Sequence, residues 1–380
     1  MKTICAMKNP FQYGKLAEKE NFIDRDDDRE FLKRTLYSGI NVILSSPRRW
    51  GKSSLVKKAM SELVEEQKDV RVCFIDAFPI SSSKEFYNIF AKEIIRSTAS
   101  HWQNIVESAK TFFRSVTPKV SFGPDPMNEF SLSFDVDGPE DERDILDLPE
   151  KIASKRGVQV IVCIDEFQKL AKLSDYSHLE EMMRSVWQHQ QHVSYCLYGS
   201  QRHLIEDIFN SAEKPFFHFG QMYNLKKISR ADWVGYIVGR FSSTGKNISE
   251  EIAGQIADTA ACHSWYVQQL AASVWSFTSE IADRPAFEKG LTWCVDVNSE
   301  TYFKVCDTLS ELQLNLLRAV AGRENEFTSV EVVRKYGLGS SASVTKNKKV
   351  LYDKDLITLS GPHLAFQDPI FEIWFKENYL

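Results

Sequence analysis

The stretch that decides the fold is residues 44–56, LSSPRRWGKSSLV. Residues 41–45 are mainly aliphatic, and apolar residues recur at helical spacing from position 55, so the stretch predicts a loop between a strand and a helix. Backbone N–H groups of such a loop and the N-terminus of the next helix converge on one anion. Gly51-Lys52-Ser53 ends the stretch as a phosphate-binding loop ends, although Ser46 occupies the position of its first glycine.

This loop predicts a nucleotide site. Lys52 would reach the β- and γ-phosphates, and the Ser53 hydroxyl would complete the shell of a magnesium ion. Ser46 resists a positive φ because it has a Cβ, but a small residue is tolerated at a strand exit. The alternative is an ordinary strand–turn–helix with a chance Gly-Lys-Ser. The predicted nucleotide-binding positions of the loop are Ser46, Pro47, Arg48, Arg49, Trp50, Gly51, Lys52, Ser53 and Ser54.

A second motif lies at residues 158–167, VQVIVCIDEF. Its continuous apolar run is typical of a central parallel strand covered on both faces. Two carboxylates follow at the strand tip, where Asp165 would bind the magnesium ion and Glu166 would polarise the water that attacks the γ-phosphate. Alternatively, the two acids cap a helix that begins near residue 168.

Two further strands complete a sheet. Residues 193–198 form an apolar run that ends in Gly199 and Ser200, and residues 71–75 form another that ends at Asp76. Polar residues at the carboxyl ends of parallel strands face the ligand crevice, so Ser200 is a candidate sensor of the γ-phosphate, or else an ordinary turn serine. Four strands separated by helical segments predict a doubly wound α/β parallel sheet.

The segments SPRRWGKSSL, IDEFQKL and YGSQRHL, in this order and spacing, resemble the archaeal-type ATPase family, in the STAND branch of AAA+ P-loop NTPases. Phe22, Ile23 and Arg25 resemble that family's entry motif, whose backbone lies near the adenine, with Asp24 in the glycine position. The resemblance covers nearly the whole chain. It implies ATP or ADP with Mg²⁺, a small helical lid that closes over the nucleotide, and a C-terminal winged helix.

The chain departs from the family at two places. Residues 215–219 read PFFHF where relatives often have an arginine that stabilises charge, and residues 262–269 read CHSWYVQQ where relatives tend to have a Gly-His-Pro or Gly-Asn-Pro. Because such an arginine accelerates phosphoryl transfer by orders of magnitude, slow or partner-dependent hydrolysis is expected. The candidate substitutes are Arg48, Arg49, Arg202 and Arg240.

Three domains are predicted. Residues 1–225 form the P-loop domain, with a β-hairpin insertion at about 115–137, and residues 226–300 form the helical lid. Residues 301–380 follow the order helix, helix, helix, strand, strand of a winged helix.

The second and third helices of this winged helix carry many basic residues. Between residues 334 and 354, six lysines and arginines are opposed by Asp353 alone. Such a patch neutralises DNA phosphates, but winged helices also dock proteins, and both interpretations stay open. The candidate DNA contacts are Ser343, Thr345, Lys346, Asn347, Lys348 and Lys349.

Composition sets the remaining limits. The chain has 380 residues, a formal net charge of −5 and seven cysteines without CxxC pairs, which favours a reducing, cytoplasmic location. The sequence has neither a signal-peptide pattern nor an apolar run of membrane-spanning length.

Two functions are predicted: an Mg²⁺-dependent ATPase that couples nucleotide state to motion of the lid and winged helix, with DNA as a candidate partner, or a slow nucleotide switch that regulates an unknown protein. The oligomeric state stays open.

Overall fold

The computed structural model describes residues 8–15, 22–23, 25–99, 119–122, 130–133, 138–360 and 363–380. These residues form two compact units. The sheet unit is Arg25–Lys226, and the C-terminal unit combines Lys227–Leu380 with the described residues that precede Arg25. The sequence placed residues 1–225 in one domain, whereas the described residues before Arg25 group with the C-terminal unit.

The sheet unit is built on five parallel strands: β1 (Val42–Ser45), β2 (Val70–Asp76), β5 (Gln159–Asp165), β6 (Val193–Gly199) and β7 (Gln221–Asn224). Their order in the sheet is β2-β5-β6-β1-β7. A separate antiparallel hairpin consists of β3 (Lys119–Phe122) and β4 (Phe130–Ser133). Strands β1, β5 and β6 are neighbours, so their carboxyl ends lie side by side.

Helices accompany the sheet. They are α1 (Asp26–Tyr37), α2 (Lys52–Glu66), α3 (Ser83–Thr98), α4 (Pro139–Leu146), α5 (Leu148–Arg156), α6 (Tyr176–Trp187) and α7 (Arg202–Asn210), with a short 3₁₀ helix at Phe167–Lys172. Strand β6 is buried along its whole length, and β5 is buried except at its two ends. This burial explains their continuous apolar sequences, because both faces of a central parallel strand are covered.

The predicted α/β sheet and the hairpin are confirmed, but the sequence missed β7. Its four residues, QMYN, neither alternate between apolar and polar nor form an apolar run. The strand lies at the edge of the sheet, where it pairs with β1 alone and both of its end residues are exposed. An edge strand of this kind is held by its backbone partner, so its side chains carry little sequence pattern.

The C-terminal unit is mainly helical. Its first part contains α8 (Arg230–Ser242), β8 (Asn247–Ile248), α9 (Glu250–Thr259), α10 (Ser264–Phe277), β9 (Ile281–Ala282) and α11 (Arg284–Asp307). Its second part contains α12 (Glu311–Ala321), α13 (Val330–Tyr336), α14 (Ser341–Asp353), β10 (Ile357–Ser360), β11 (His363–Phe366) and α15 (Pro369–Tyr379). Helix α11 runs through residue 300, where the sequence placed a domain boundary.

The second part has the predicted winged-helix order, with β10 and β11 paired antiparallel as the wing. Ser310, Ser329 and Ser340 cap the N-termini of α12, α13 and α14, each accepting a hydrogen bond from a first-turn N–H. Trp374 of α15 is buried and donates a 2.8 Å hydrogen bond to Ser299 Oγ. The aromatic C-terminus is therefore part of the core of this unit.

Among the helices that the structure describes, none has both the length and the apolar character needed to cross a bilayer.

Candidate functional site

The loop between β1 and α2 leaves the N-terminus of α2 open to a ligand. Gly51 is the N-cap residue, its φ is 91°, and it offers no side chain to cap the helix. The first turn of α2 has no acidic residue. The first N–H groups of a helix lack intrahelical partners and carry partial positive charge. This geometry fits an anion such as a phosphate.

The loop also explains why Ser46 replaces a glycine. The left-handed backbone positions are Arg49, with φ 64°, and Gly51, with φ 91°, whereas Ser46 keeps a negative φ. Ser46 is buried, and its Oγ donates to Pro47 O at 3.2 Å. Because the turn needs no positive φ at this position, a Cβ causes no backbone strain there.

Two oxygen groups meet at the start of α2. Ser53 Oγ donates to Asp165 Oδ2 at 2.6 Å, which joins α2 to the end of β5. Burial raises the pKa of Asp165, although the Ser53 hydrogen bond and the Lys52 charge act in the opposite direction. A hydroxyl and a carboxylate are suitable ligands for Mg²⁺, which keeps several waters and takes phosphate oxygens as further ligands.

Within the described ranges, no group of three or more His, Cys, Asp or Glu side chains is arranged to hold a metal ion. Ser53 and Asp165 supply two oxygen atoms of the kind that Mg²⁺ takes as ligands, and the magnesium ion itself stays a prediction.

Glu166 lies beside this pair, surrounded by three polar groups. Its Oε1 is 3.7 Å from Lys52 Nζ, and its Oε2 accepts hydrogen bonds from Ser200 Oγ at 2.8 Å and from Gln168 Nε2 at 2.6 Å. Burial acts to raise the pKa of Glu166, but the Lys52 charge and the two hydrogen bonds lower it below its usual value. The carboxylate is therefore ionised at neutral pH.

Lys52 is the buried cation of the site. Only 5% of the residue is exposed, and burial lowers its pKa against the opposing pull of Glu166 and Asp165.

The structure thus brings together Lys52, Ser53, Asp165, Glu166 and Ser200, all of which the sequence proposed. Gln168 is not among the predicted site residues, because its sequence context indicates only the start of a helix. A polar residue two positions after the acids was the available signal.

The arginines proposed as substitutes have different surroundings. Arg48 Nε donates to Ser200 Oγ at 3.4 Å, so this arginine lies in the site, and Arg49 lies in the same loop. Arg202 pairs with Glu206 at 2.7 Å. Arg240 belongs to the C-terminal unit, where it donates to the carbonyl of Pro10.

The segment 215–219 is part of an aromatic core. Phe216 is fully buried, and its ring lies 5.0 Å from that of Phe219 and 5.9 Å from that of Trp187. Arg184 Nε donates to Pro215 O at 2.9 Å. Aromatic packing therefore occupies the segment where relatives are expected to have an arginine.

Arg25 supports the loop from the side. Its guanidinium donates to Trp50 O at 3.2 Å and to Lys226 O at 3.0 Å, and it forms an ion pair with Asp28 at 2.9 Å. Phe22 and Ile23 are half-buried, and Ile23 packs against the core of the C-terminal unit. Their predicted contacts with adenine stay a prediction.

The proposed DNA contacts on α14 do not share one face. Thr345, Lys346 and Lys349 are exposed, whereas Asn347 is buried. Lys348 is half-buried with its Nζ 4.4 Å from the centre of the Phe327 ring, and burial lowers its pKa.

The burial of these residues divides the predicted contacts into two groups, and their role in DNA binding stays a prediction. Asn347 and Lys348 point toward the core of the C-terminal unit, because a helix turns successive side chains by about 100°. Ser343 is half-buried, and its Oγ lies 3.1 Å from the N-cap Ser340 Oγ. The exposed part of the proposed surface is Thr345, Lys346 and Lys349.

Comparison with known proteins agrees with this architecture. Residues 300–377 match a family model described as "Probable winged helix domain". No curated protein matches the sequence. The solved Walker-type ATPase of Pyrococcus abyssi is similar, with a TM-score of 0.68, 16% sequence identity, and coverage of 97% of this chain and 99% of that chain.

A second similar structure is the ORC2 protein of Aeropyrum pernix, solved as ADPNP-ADP complexes. Its TM-score is 0.58 at 14% identity, with 97% of this chain and 98% of that chain covered. At these identities the similarity concerns the fold, and membership of the STAND branch stays a prediction. The loop, the strand ending in Asp165-Glu166 and the two similar structures show that this chain has the fold of an AAA+ P-loop ATPase with a C-terminal winged-helix domain.

Proposed function

We propose that the chain binds ATP or ADP with Mg²⁺ at residues 46–54 and hydrolyses ATP. One observation carries this proposal. Lys52, Ser53, Asp165, Glu166 and Ser200 form one contact network beside an uncapped helix N-terminus. They come from the ends of three adjacent strands, which is where ligands bind in open parallel sheets.

Each residue has a defined role in this proposal. The N-terminus of α2 and the Lys52 ammonium bind the phosphates, and Ser53 and Asp165 hold the cation. Magnesium supplies charge neutralisation for the transferred phosphoryl group. Glu166 is the candidate catalytic residue that orients and deprotonates the attacking water, and its lowered pKa keeps it in the basic form.

The similar structures support a nucleotide as the ligand. One is named a Walker-type ATPase, and the other was solved as ADPNP-ADP complexes. In this chain the loop and the neighbouring strand ends carry polar groups that suit a nucleotide phosphate.

The test is ATP turnover per protomer, measured over a wide range of protein concentration. Glu166→Gln serves as the blank, and Glu65→Gln, which changes an exposed glutamate of α2, serves as the matched control. We expect Glu166→Gln to bind ATP normally while turnover falls by about 10²- to 10⁴-fold. Equal turnover in Glu166→Gln and wild type would remove Glu166 from the mechanism.

The concentration dependence separates two forms of the proposal. A rate that rises with concentration indicates that a neighbouring subunit supplies the missing arginine. A flat rate that is low but still above that of the Glu166→Gln blank, with ATP bound, indicates a slow nucleotide switch.

We also propose DNA as a ligand of the C-terminal unit. The observation that favours it is the exposed side of α14, where no ion pair involves Lys346 or Lys349 among the described residues. In helix-turn-helix folds the corresponding helix enters the major groove. Salt-dependent binding of duplex DNA tests this proposal, and its absence would exclude the surface as a DNA site.

A further inference from the structure

Gln168 is a polar side chain at the site to which the proposed function gives no role. It lies in the 3₁₀ helix that follows β5 and is fully buried, although glutamine is usually exposed. Its Nε2 donates to Glu166 Oε2 at 2.6 Å. The same oxygen accepts from Ser200 Oγ at 2.8 Å, so two donors from different elements fix one carboxylate oxygen.

The other end of the Gln168 amide is unsatisfied. Gln168 Oε1 is buried and has no hydrogen-bond partner in the part of the chain that the structure describes. A buried acceptor without a partner is costly, so the surroundings must favour this orientation for another reason. That reason is visible at Nε2, because rotating the amide would place an acceptor against the Glu166 carboxylate.

Gly199 makes this arrangement possible. A Cβ built at Gly199, at the end of β6, would lie 1.8 Å from Gln168 Oε1 and 2.8 Å from its Cδ. Gln168 is surrounded by protein, so it has little room to move away from such an atom. The absence of a side chain at position 199 is therefore what admits the Gln168 amide next to Glu166.

We propose that Gln168 is a positioning residue for Glu166 and that Gly199 provides the space for it. The inference rests on the proposed role of Glu166 in ATP hydrolysis. Gln168 holds the carboxylate together with Ser200 and leaves Oε1 of Glu166 facing Lys52. Catalytic groups lose efficiency when they are displaced by a fraction of an ångström, so fixing this carboxylate favours turnover without changing ATP affinity.

The first test uses Gln168→Met, which keeps the volume and removes the donor. We expect kcat to fall by about tenfold, with the Kd for ATP and the midpoint of thermal unfolding close to wild type. Gln159→Met is the matched control, since Gln159 Nε2 donates to Leu36 O at 3.0 Å at the start of β5, away from the site. An unchanged kcat, or a kcat loss accompanied by equal losses of affinity and stability, would overturn the proposal.

A double-mutant cycle tests the role of Gly199. Gly199→Ala in the wild-type background should lower kcat about as much as Gln168→Ala does. In the Gln168→Ala background, where the space is free, Gly199→Ala should have little further effect. If Gly199→Ala alone fails to fold and the double variant folds, the space argument holds. If the kcat of the double variant falls by the product of the two single losses, the space argument is contradicted. If neither variant folds, the kcat of Gln168→Met tests the proposal.

A crystal structure of Gln168→Met separates this inference from the proposed function. A displaced Glu166 carboxylate supports positioning by Gln168 even if the wild type hydrolyses ATP no faster than Glu166→Gln. A carboxylate that keeps its place contradicts positioning even if hydrolysis is confirmed.

Discussion

The two units differ in how their charged groups are held. In the sheet unit, Lys52 is 5% exposed and lies 3.7 Å from Glu166, while on α14 of the C-terminal unit Lys346 and Lys349 project into solvent. A buried charge destabilises the fold unless it is paired, whereas an exposed lysine costs almost nothing. We therefore expect substitutions in the buried cluster to have larger effects than substitutions of the exposed lysines.

The largest expected effect concerns the buried cation. Lys52→Ala should weaken ATP binding by at least about 30-fold, because it removes a desolvated charge and leaves Glu166 without its partner. Isothermal titration with ATP and Mg²⁺ measures this effect. Lys57→Ala, an exposed lysine on the same helix, should bind normally. Normal binding by Lys52→Ala would contradict a role of the buried cation in binding ATP.

The exposed lysines should show a different dependence, on salt. Replacing Lys346 and Lys349 with alanine should weaken binding to duplex DNA and lower the slope of log affinity against log salt by about 2, as expected for two lost phosphate contacts. Fluorescence anisotropy at several salt concentrations gives the slope. The control is a double variant, Lys289→Ala with Lys304→Ala, which removes the same charge from α11. If its DNA affinity and salt slope fall equally, the attraction to DNA depends on overall charge and not on a defined surface of α14.

A smaller effect is expected at the hydroxyl beside Glu166. Ser200→Ala should lower ATP turnover by about tenfold, because a hydrogen bond to a charged group contributes about 1.5 kcal/mol or more. Ser194→Ala is a suitable control, since Ser194 is a buried serine of β6, the strand that Ser200 follows, and its Oγ donates to Leu36 O at 2.8 Å. Equal turnover in both variants would leave Ser200 without a role in the site.

The smallest expected effect separates surface from core on α14. Asn347→Ala should leave DNA affinity unchanged and lower the free energy of unfolding by about 1 kcal/mol, since Asn347 is buried. Chemical denaturation and DNA titration of one preparation measure both quantities. A loss of DNA affinity at unchanged stability would return Asn347 to the proposed contact surface.

Much of the site was predictable because its signals are local. The strand–loop–helix around Lys52 and the apolar strand ending in Asp165-Glu166 are continuous stretches whose patterns follow directly from burial. Ser200 was found by the same rule about strand ends. Ser46 stands where a phosphate-binding loop usually has its first glycine. It causes no backbone strain there, because the loop takes its positive φ values at Arg49 and Gly51.

What was missed depends on neighbours that are distant in sequence. Gln168 has a role only because β6 lies next to β5 and ends in a glycine that leaves room for its amide. Strand β7 is recognisable only through its pairing with β1. On α14, the basic residues are close together in the sequence. Lys348 nevertheless packs on Phe327, because the helix turns this side chain toward the core.

The sequence by itself thus determined the class of fold, the order of its elements and the residue types at the loop. These properties follow from hydrophobic periodicity and from motifs in which every member is close along the chain. Only the tertiary structure decided which oxygen of Glu166 meets which donor and which face of α14 is open to solvent. Such contacts depend on strand order, helix rotation and side-chain packing, and these are set by the fold as a whole.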